Sequence, residues 1–432
     1  MKTSLLLRTL APALALFVAA PLTPAQPAAP DLSGKTDDSI RTVLRVVGRH
    51  QIRELKDGDY PAVASIKDAE AAKQPEGIGW SYPWGVTLYG VIRSTDATGD
   101  KDALNFALEH NRVVARYYAW LESVRAKVPA ADWNAFIRDN RKVKTGGLLR
   151  LGNLDSCGAM GVQFLEGMLR YPDQVIPEQK AVVARVADWI VNQQERLPDG
   201  TFWRPSATNV SKFMEPGTLW IDDLYMGCPY LVRWAKFTGD DKHLHDAVNN
   251  VINMAARLQD QDGVWFHAYF EHAKKHNPWK WGRANGWAMV ATVEILSALP
   301  ENHPDRAALL DIYRRHVAGV KALQPDSGVW HQVLDQKEIW EETSCTAMFA
   351  YAIARGVNRG WLPASDMAVA RKAFAGLCAK YITPEGAVNG TCAGTNIGLD
   401  LEFYANRPRP DDDLHGRGVV LLAGTEILNP KK

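Results

Sequence analysis

Apolar residues recur at three- and four-residue intervals along most of this chain, and strict alternation is sustained nowhere. That spacing puts side chains on one face of an α-helix, whereas a half-buried strand would alternate. Ile40, Val43, Leu44, Val46 and Val47 define one face of a first helix ending near His50. Val86 to Ile92 predicts another, behind the segment Gly79-Trp80-Ser81-Tyr82-Pro83-Trp84-Gly85. Leu104 to Val124 predicts a long third helix, and Ala288 to Leu299 a further one. The expected class is all-α.

A repeat organises these helices. Asp199-Gly200-Thr201-Phe202-Trp203, Asp262-Gly263-Val264-Trp265, Ser327-Gly328-Val329-Trp330 and Glu385-Gly386-Ala387-Val388 each follow one helical segment and precede another. Their glycines are 63, 65 and 58 residues apart. Two helices of roughly 15–20 residues and their connections fill such a period. Each unit therefore reads as a helical hairpin with a glycine–aromatic turn. Four visible units and room for about two more upstream predict six hairpins in a ring, an (α/α)6 barrel. An open α-solenoid would stack the same hairpins without closing. The ring is favoured because the turns gather Trp, Phe and His at one rim. Fifteen tryptophans, many in these turns, would be costly in water unless a ligand covers them.

The first 25 residues read differently. Lys2 and Arg8 precede an apolar stretch from Thr9 to Ala20, and Thr23-Pro24-Ala25 supplies small residues for cleavage. This is the pattern of a secretory signal. Residues 26–38, rich in Pro and Ala, read as a disordered lead-in, and 39–432 as one catalytic domain. The mature protein is expected to be secreted or periplasmic and free of the membrane once the signal is removed. Without residues 1–25 the chain carries 48 basic against 49 acidic residues, a net charge of −1. Nothing in that balance steers it to nucleic acid. Cys157, Cys228, Cys345, Cys378 and Cys392 are odd in number and show no zinc spacing, so they are expected to be small buried groups.

Candidate chemistry gathers at the predicted rim. Trp281-Gly282-Arg283-Ala284-Asn285-Gly286-Trp287 sets two indoles beside a guanidinium, a combination suited to a flat anionic ligand such as a sugar acid. Asp155, in Leu154-Asp155-Ser156-Cys157-Gly158, and the pair Asp222-Asp223, in Trp220-Ile221-Asp222-Asp223-Leu224-Tyr225-Met226, sit in apolar surroundings at helix starts. A desolvated Asp there is a plausible proton donor near neutrality, and equally a helix cap. His267 follows the Asp262 turn, and Tyr82 and Trp84 sit between prolines and glycines, where either stacking on a sugar or packing would suit them. Three adjacent acids, Asp411 to Asp413, cannot all face one ion, so no metal is expected. There is no GxSxG, P-loop or HExxH.

In combination these motifs resemble glycoside hydrolase family 105, the unsaturated rhamnogalacturonyl hydrolases, related to the unsaturated glucuronyl hydrolases of family 88. The likeness also takes in Glu342-Thr343-Ser344-Cys345-Thr346-Ala347-Met348-Phe349 and Asp413-Leu414-His415-Gly416-Arg417-Gly418, and runs from about Gly79 to Leu428. It implies an (α/α)6 barrel, no cofactor, and an oligosaccharide partner ending in a 4,5-unsaturated uronic acid. In such enzymes C4 of the vinyl ether is protonated, water adds at C5, and the hemiketal collapses to release the neighbouring sugar. By resemblance Asp222 is the general acid/base and Asp155 the second aspartate, near the sugar hydroxyls. His267, Trp281 and Arg283 match the residues facing the ring and its carboxylate, and Tyr82 and Trp84 match the entrance segment more loosely. Asp223 fills a position that is uncharged in some members. Adjacent helical residues point about 100° apart, so a one-residue shift in register would make Asp223 the acid. The alternatives are an inverting glycosidase using Asp155 and a second carboxylate, a sugar epimerase, or a non-catalytic oligosaccharide-binding protein.

Overall fold

The computed structural model describes residues 30–139, 143–204 and 217–428. Residues 1–25, read above as a secretory signal, and residues 26–29 of the expected lead-in lie outside the described residues. Twelve helices carry the fold: α1 (Asp37–Arg49), α2 (Tyr82–Thr98), α3 (Lys101–Arg125), α4 (Gly158–Arg170), α5 (Pro177–Asp188), α6 (Asp223–Thr238), α7 (Lys242–Leu258), α8 (Gly282–Ala298), α9 (Arg306–Ala322), α10 (Thr343–Asn358), α11 (Met367–Lys380) and α12 (Leu414–Leu428). The even-numbered helices form an inner ring in which each packs on the next and α12 packs on α2. The odd-numbered helices lie outside, α1 against α12 and every other one against the helix before it. Closure makes this the (α/α)6 barrel and excludes the open solenoid.

Local chemistry explains the pattern. Inner helices are buried nearly all round: Gly282 to Leu296 of α8 is buried without a break, as is Thr343 to Gly356 of α10. Such helices have no water-facing stripe and read as apolar on every side. Where α2 crosses α12 the backbones nearly touch, since a Cβ on Gly90 would lie 2.4 Å from the Gly418 carbonyl oxygen. Thr36 and Ser39 cap α1 reciprocally, so order begins ahead of the expected edge of the lead-in.

The repeat glycines are the joints of the ring. Gly200, Gly263, Gly328 and Gly386 have φ of 85°, 86°, 84° and 92°, a backbone region open to glycine at little cost. Each turn after Gly200 abuts the next outer helix: a Cβ would fall 2.1 Å from Arg315 O at Gly263, 2.5 Å from Lys372 O at Gly328 and 2.5 Å from Val46 O at Gly386. The last of these reaches α1 and closes the circle.

Three short antiparallel strands were not expected: β1 (Thr218–Trp220), β2 (Ala268–Phe270) and β3 (Lys275–His276), in the order β1-β2-β3. At two or three residues each they are too short for alternation to show. They join the entry to α6 to the segment after the Gly263 turn, and Ile221 N donates to His267 O at 3.3 Å. All five cysteines are buried, as expected, and none is paired with another.

About three turns in from the rim, each inner helix contributes one charge, and the signs alternate around the ring. Arg93 (α2), Glu166 (α4), Arg233 (α6), Glu294 (α8), Arg355 (α10) and Glu426 (α12) are joined in sequence at 3.4, 2.9, 2.8, 3.9 and 2.8 Å. Tyr89 donates to Glu294 at 3.0 Å. A cavity of about 630 Å³ opens outward from this layer.

Candidate active site

The site residues stand at the N-terminal ends of the inner helices. Tyr82 opens α2, Asp155 lies in a short turn just before α4, and Asp222 and Asp223 begin α6. Arg283 is the second residue of α8, Glu342 caps α10, and His415 is the second residue of α12. Six helix N-termini therefore meet at one end of the barrel, where Tyr82, Asp155, Asp222 and Arg283 lie close enough to act on one another. Their aligned peptide dipoles favour an anion there.

One arginine that sequence reasoning missed sorts the three aspartates. Arg204 reaches Asp155 with two bonds of 3.2 Å and Asp223 with bonds of 2.5 and 3.0 Å, while its guanidinium lies 4.0 Å over the Trp220 ring. Asp223 is fully buried and takes both of its bonds from this guanidinium. Burial pushes its carboxyl up to about 6; Arg204 pulls the other way, but its charge is shared with Asp155. Asp222 points elsewhere. It is 7% exposed, and its Oδ2 is a buried oxygen with no hydrogen-bond partner among the described residues. Of the two adjacent acids, Asp223 is committed to Arg204, and Asp222 is not bound by it. Arg204→Met should cost about 1.5–3 kcal/mol of stability, the range for hydrogen bonds to charged groups. Denaturant unfolding checks this.

His267 stands behind Asp222. Its Nε2 is 3.3 Å from Asp222 Oδ2 and accepts the Trp220 indole N–H at 2.8 Å. Its Nδ1 is 2.7 Å from Tyr404 Oη, a hydroxyl that also receives the N–H of Gly398 and of the Asn277 amide. Burial, aided by Arg283 and Arg204 and opposed by Asp222, holds the imidazole below its usual range, so it is neutral at neutral pH.

Arg283 is 1% exposed and rigidly held. Cys392 O at 2.5 Å, Ala393 O at 2.7 Å and Ser344 Oγ at 3.4 Å take three of its five N–H groups. Nε–H and one Nη2–H remain, the edge that pairs with a carboxylate. Glu342 lies 3.8 Å away and fixes the surroundings by accepting from Ser344 Oγ, Cys345 N and Cys392 N. Trp281 supports this pair from behind, its ring centroid 4.8 Å from the Arg283 guanidinium and 4.7 Å from the His267 ring. It is buried, so it braces the site and presents no open face to a sugar.

Two other expectations resolve as packing. Trp287 stacks on Tyr225 at 4.3 Å within the core, and the Asn285 amide ties Trp265 to Trp281. Trp84 is not brought into the hollow. Its N–H donates to His110 at 3.0 Å, its ring packs on Phe106, and Arg53 covers it at 4.2 Å. Trp84 stands two positions after Tyr82 on α2, about 200° around the helix, which turns it toward α3. Tyr82 does belong to the site, where Arg283, Asp155 and Asp222 all act on its hydroxyl. The acidic run divides: Asp412 pairs with His50 and Arg417, and Asp413 with His415.

The pattern of Glycosyl Hydrolase Family 88 matches residues 62–430. The chain belongs to that family. It is 24% identical over 356 residues to the unsaturated rhamnogalacturonyl hydrolase YesR of Bacillus subtilis (strain 168), covering 82% of this chain and 91% of that one. It is 32% identical over 221 residues to an unsaturated 3S-rhamnoglycuronyl hydrolase of Alteromonas sp. (strain LOR), covering 48% of this chain. That match spans about half (51%) of the Alteromonas protein. Among solved structures, a possible GH105 member from Salmonella enterica superposes with a TM-score of 0.68 at 22% identity, covering 96% of this chain and 99% of that one. A family 105 glycoside hydrolase of Clostridium acetobutylicum ATCC 824 gives 0.64 at 25% identity, covering 81% and 94%.

Proposed function

We propose that this chain is an exported hydrolase that releases a 4,5-unsaturated uronic acid from the non-reducing end of lyase-generated, rhamnogalacturonan- or pectin-like oligosaccharides. The observation that carries this reading is the division of labour between adjacent acids. Asp223 is spent on Arg204, while Asp222 keeps a buried oxygen with no hydrogen bond, close enough to Arg283 for the two charges to act on each other. Asp222 protonates C4 of the vinyl ether, and positive charge develops at C5 and the ring oxygen. Water adds at C5, and the hemiketal opens and expels the neighbouring sugar. The free edge of Arg283 holds the uronate, with the converging helix N-termini behind it. Asp155, anchored by Arg204, faces the sugar hydroxyls.

The names of the Bacillus and Alteromonas relatives support the substrate class. Export is supported by Lys2, Arg8 and the apolar stretch behind them, and gives a secreted or periplasmic location. No described helix is long and apolar enough to cross a membrane.

The test follows the ultraviolet absorbance of the C4=C5 bond in a lyase-generated disaccharide. The signal should fall with the enzyme. Cleavage of saturated oligomers alone would point instead to an inverting glycosidase. Arg283→Gln should lower kcat/KM by the equivalent of roughly 2–5 kcal/mol, the cost of removing one partner of a buried charge pair. Most of that loss should appear in KM, read from initial rates against substrate concentration.

A further inference from the structure

Trp220 holds a place beside the acid that none of the roles above assigns. It ends β1, and the β1–β2 pairing sets it opposite Ala268, the residue after His267. Its indole is buried and meets the His267 ring edge-on, with centroids 6.0 Å apart. Arg204 covers one face of the indole at 4.0 Å, which helps to fix where its N–H points. That N–H donates to His267 Nε2 at 2.8 Å.

This bond decides which nitrogen of His267 carries the proton. An indole N–H only donates, so Nε2 must offer its lone pair. Burial leads the effects that keep the imidazole neutral, so it has one ring proton, and that proton is on Nδ1. It faces Tyr404 Oη at 2.7 Å, and a phenol oxygen accepts as well as donates. Asp222 Oδ2 lies 3.3 Å from Nε2, the nitrogen without a proton, and finds no donor there. The other tautomer would set an N–H against that oxygen.

We propose that Trp220 is a positioning residue: by holding His267 in its Nδ1–H tautomer, it withholds a hydrogen bond from the Asp222 carboxylate. This rests on the acid/base role given to Asp222. Asp222 gives a proton to C4 and, as the C5–O bond forms, takes one from the adding water, so it ends as it began. A hydrogen bond to a carboxylate favours the charged form. An Nε2–H donor would therefore leave fewer molecules loaded with the proton for C4, and a weaker base for the water. Asp222 is also acted on by Arg283 on α8, Tyr82 on α2, Tyr404 ahead of α12 and Asp223 beside it. Trp220→Phe leaves all of these in place. It removes the N–H and keeps a ring under Arg204.

Nitrogen NMR of protein carrying isotope-labelled histidine reads the tautomer directly, with the His267 signals assigned by their loss in His267→Gln. The wild type should show Nδ1 protonated and Nε2 bare, and in Trp220→Phe the proton should move to Nε2. The alkaline limb of kcat on the unsaturated disaccharide should then move to lower pH by about one to two units, since a hydrogen bond to a charged group shifts a protonation equilibrium roughly ten- to a hundredfold. KM should stay within about threefold, because Trp220 acts through His267 and not on the sugar. A wild type with its proton on Nε2 would overturn the proposal without any variant, so that spectrum decides even where thermal melting shows Trp220→Phe to be misfolded. An unmoved tautomer in folded Trp220→Phe would overturn it too, as would a loss of rate equal at every pH, the mark of a merely loosened site. A wild-type enzyme that leaves the C4=C5 absorbance untouched would refute the hydration reading instead, and the tautomer would still be measurable.

Discussion

Asp222→Asn should lower kcat by about 10³-fold, because of the three described aspartates Asp155, Asp222 and Asp223 it is the one not bound to Arg204. Asparagine keeps the shape and removes the transferable proton, so the unsaturated disaccharide should still bind, as calorimetry would show. Asp223→Asn should behave differently. It leaves Arg204 with Asp155 alone and loosens the hollow, and the loss should appear first in unfolding experiments. If Asp223→Asn were the dead variant and Asp222→Asn the active one, the two roles would be reversed. Absorbance decay at saturating substrate distinguishes the cases.

The second large effect is expected far from the hollow. Arg233 is shared by Glu166 and Glu294 at 2.9 and 2.8 Å, in the middle of the alternating ring of charges. Arg233→Met should destabilise the fold by roughly 3–5 kcal/mol, since it takes the nearest cation from two buried carboxylates and leaves them Arg93 at 3.4 Å and Arg355 at 3.9 Å. Replacing several members together with apolar residues of matching volume should cost less. Burial pushes Glu294 up, but Arg233 and Arg355 outweigh it and hold the carboxyl at about 2. A carboxyl held down in this way stabilises the fold above its ordinary value of 4.5. That contribution should be lost as pH falls from there toward 2. Denaturant midpoints across that interval should drop for the wild type and much less for Glu294→Gln, whose baseline is already lower.

The ring of helices was legible because two local rules repeat along the chain. Helical spacing marks each element, and a glycine needed at φ near 85° marks each turn. Asp222, Asp155, Arg283 and Tyr82 were legible through motifs at helix starts, where sequence neighbours are also neighbours in space. What escaped were pairings between distant segments. Arg204 sits in an unremarkable stretch and gains its meaning only when Asp155 and Asp223 arrive from 49 and 19 residues away. The ring of alternating charges was hidden in the same way. Glu294 stands in Val293-Glu294-Ile295-Leu296 and Arg233 in Leu231-Val232-Arg233-Trp234, each a lone charge in an apolar run. A lone charge there signals that some partner must exist, because an unpaired one could not be buried. It does not say which, since the partner lies on a neighbouring hairpin. Trp84 shows the opposite limit: an aromatic beside a site residue can face the far side of its helix.

The seam between α1 and α12 bears on how the polypeptide reaches this shape. The first of the twelve helices rests on the last as well as on α2, so Ile40, Val43, Leu44 and Val47 gain their full cover only when α12, some 370 residues further along, is in place. Five hairpins can assemble in order of synthesis, but the circle is sealed only when α12 arrives. Linking the two ends and reopening the chain at another turn should therefore yield the same ring, because the seam belongs to the order of translation and has no counterpart in the packing.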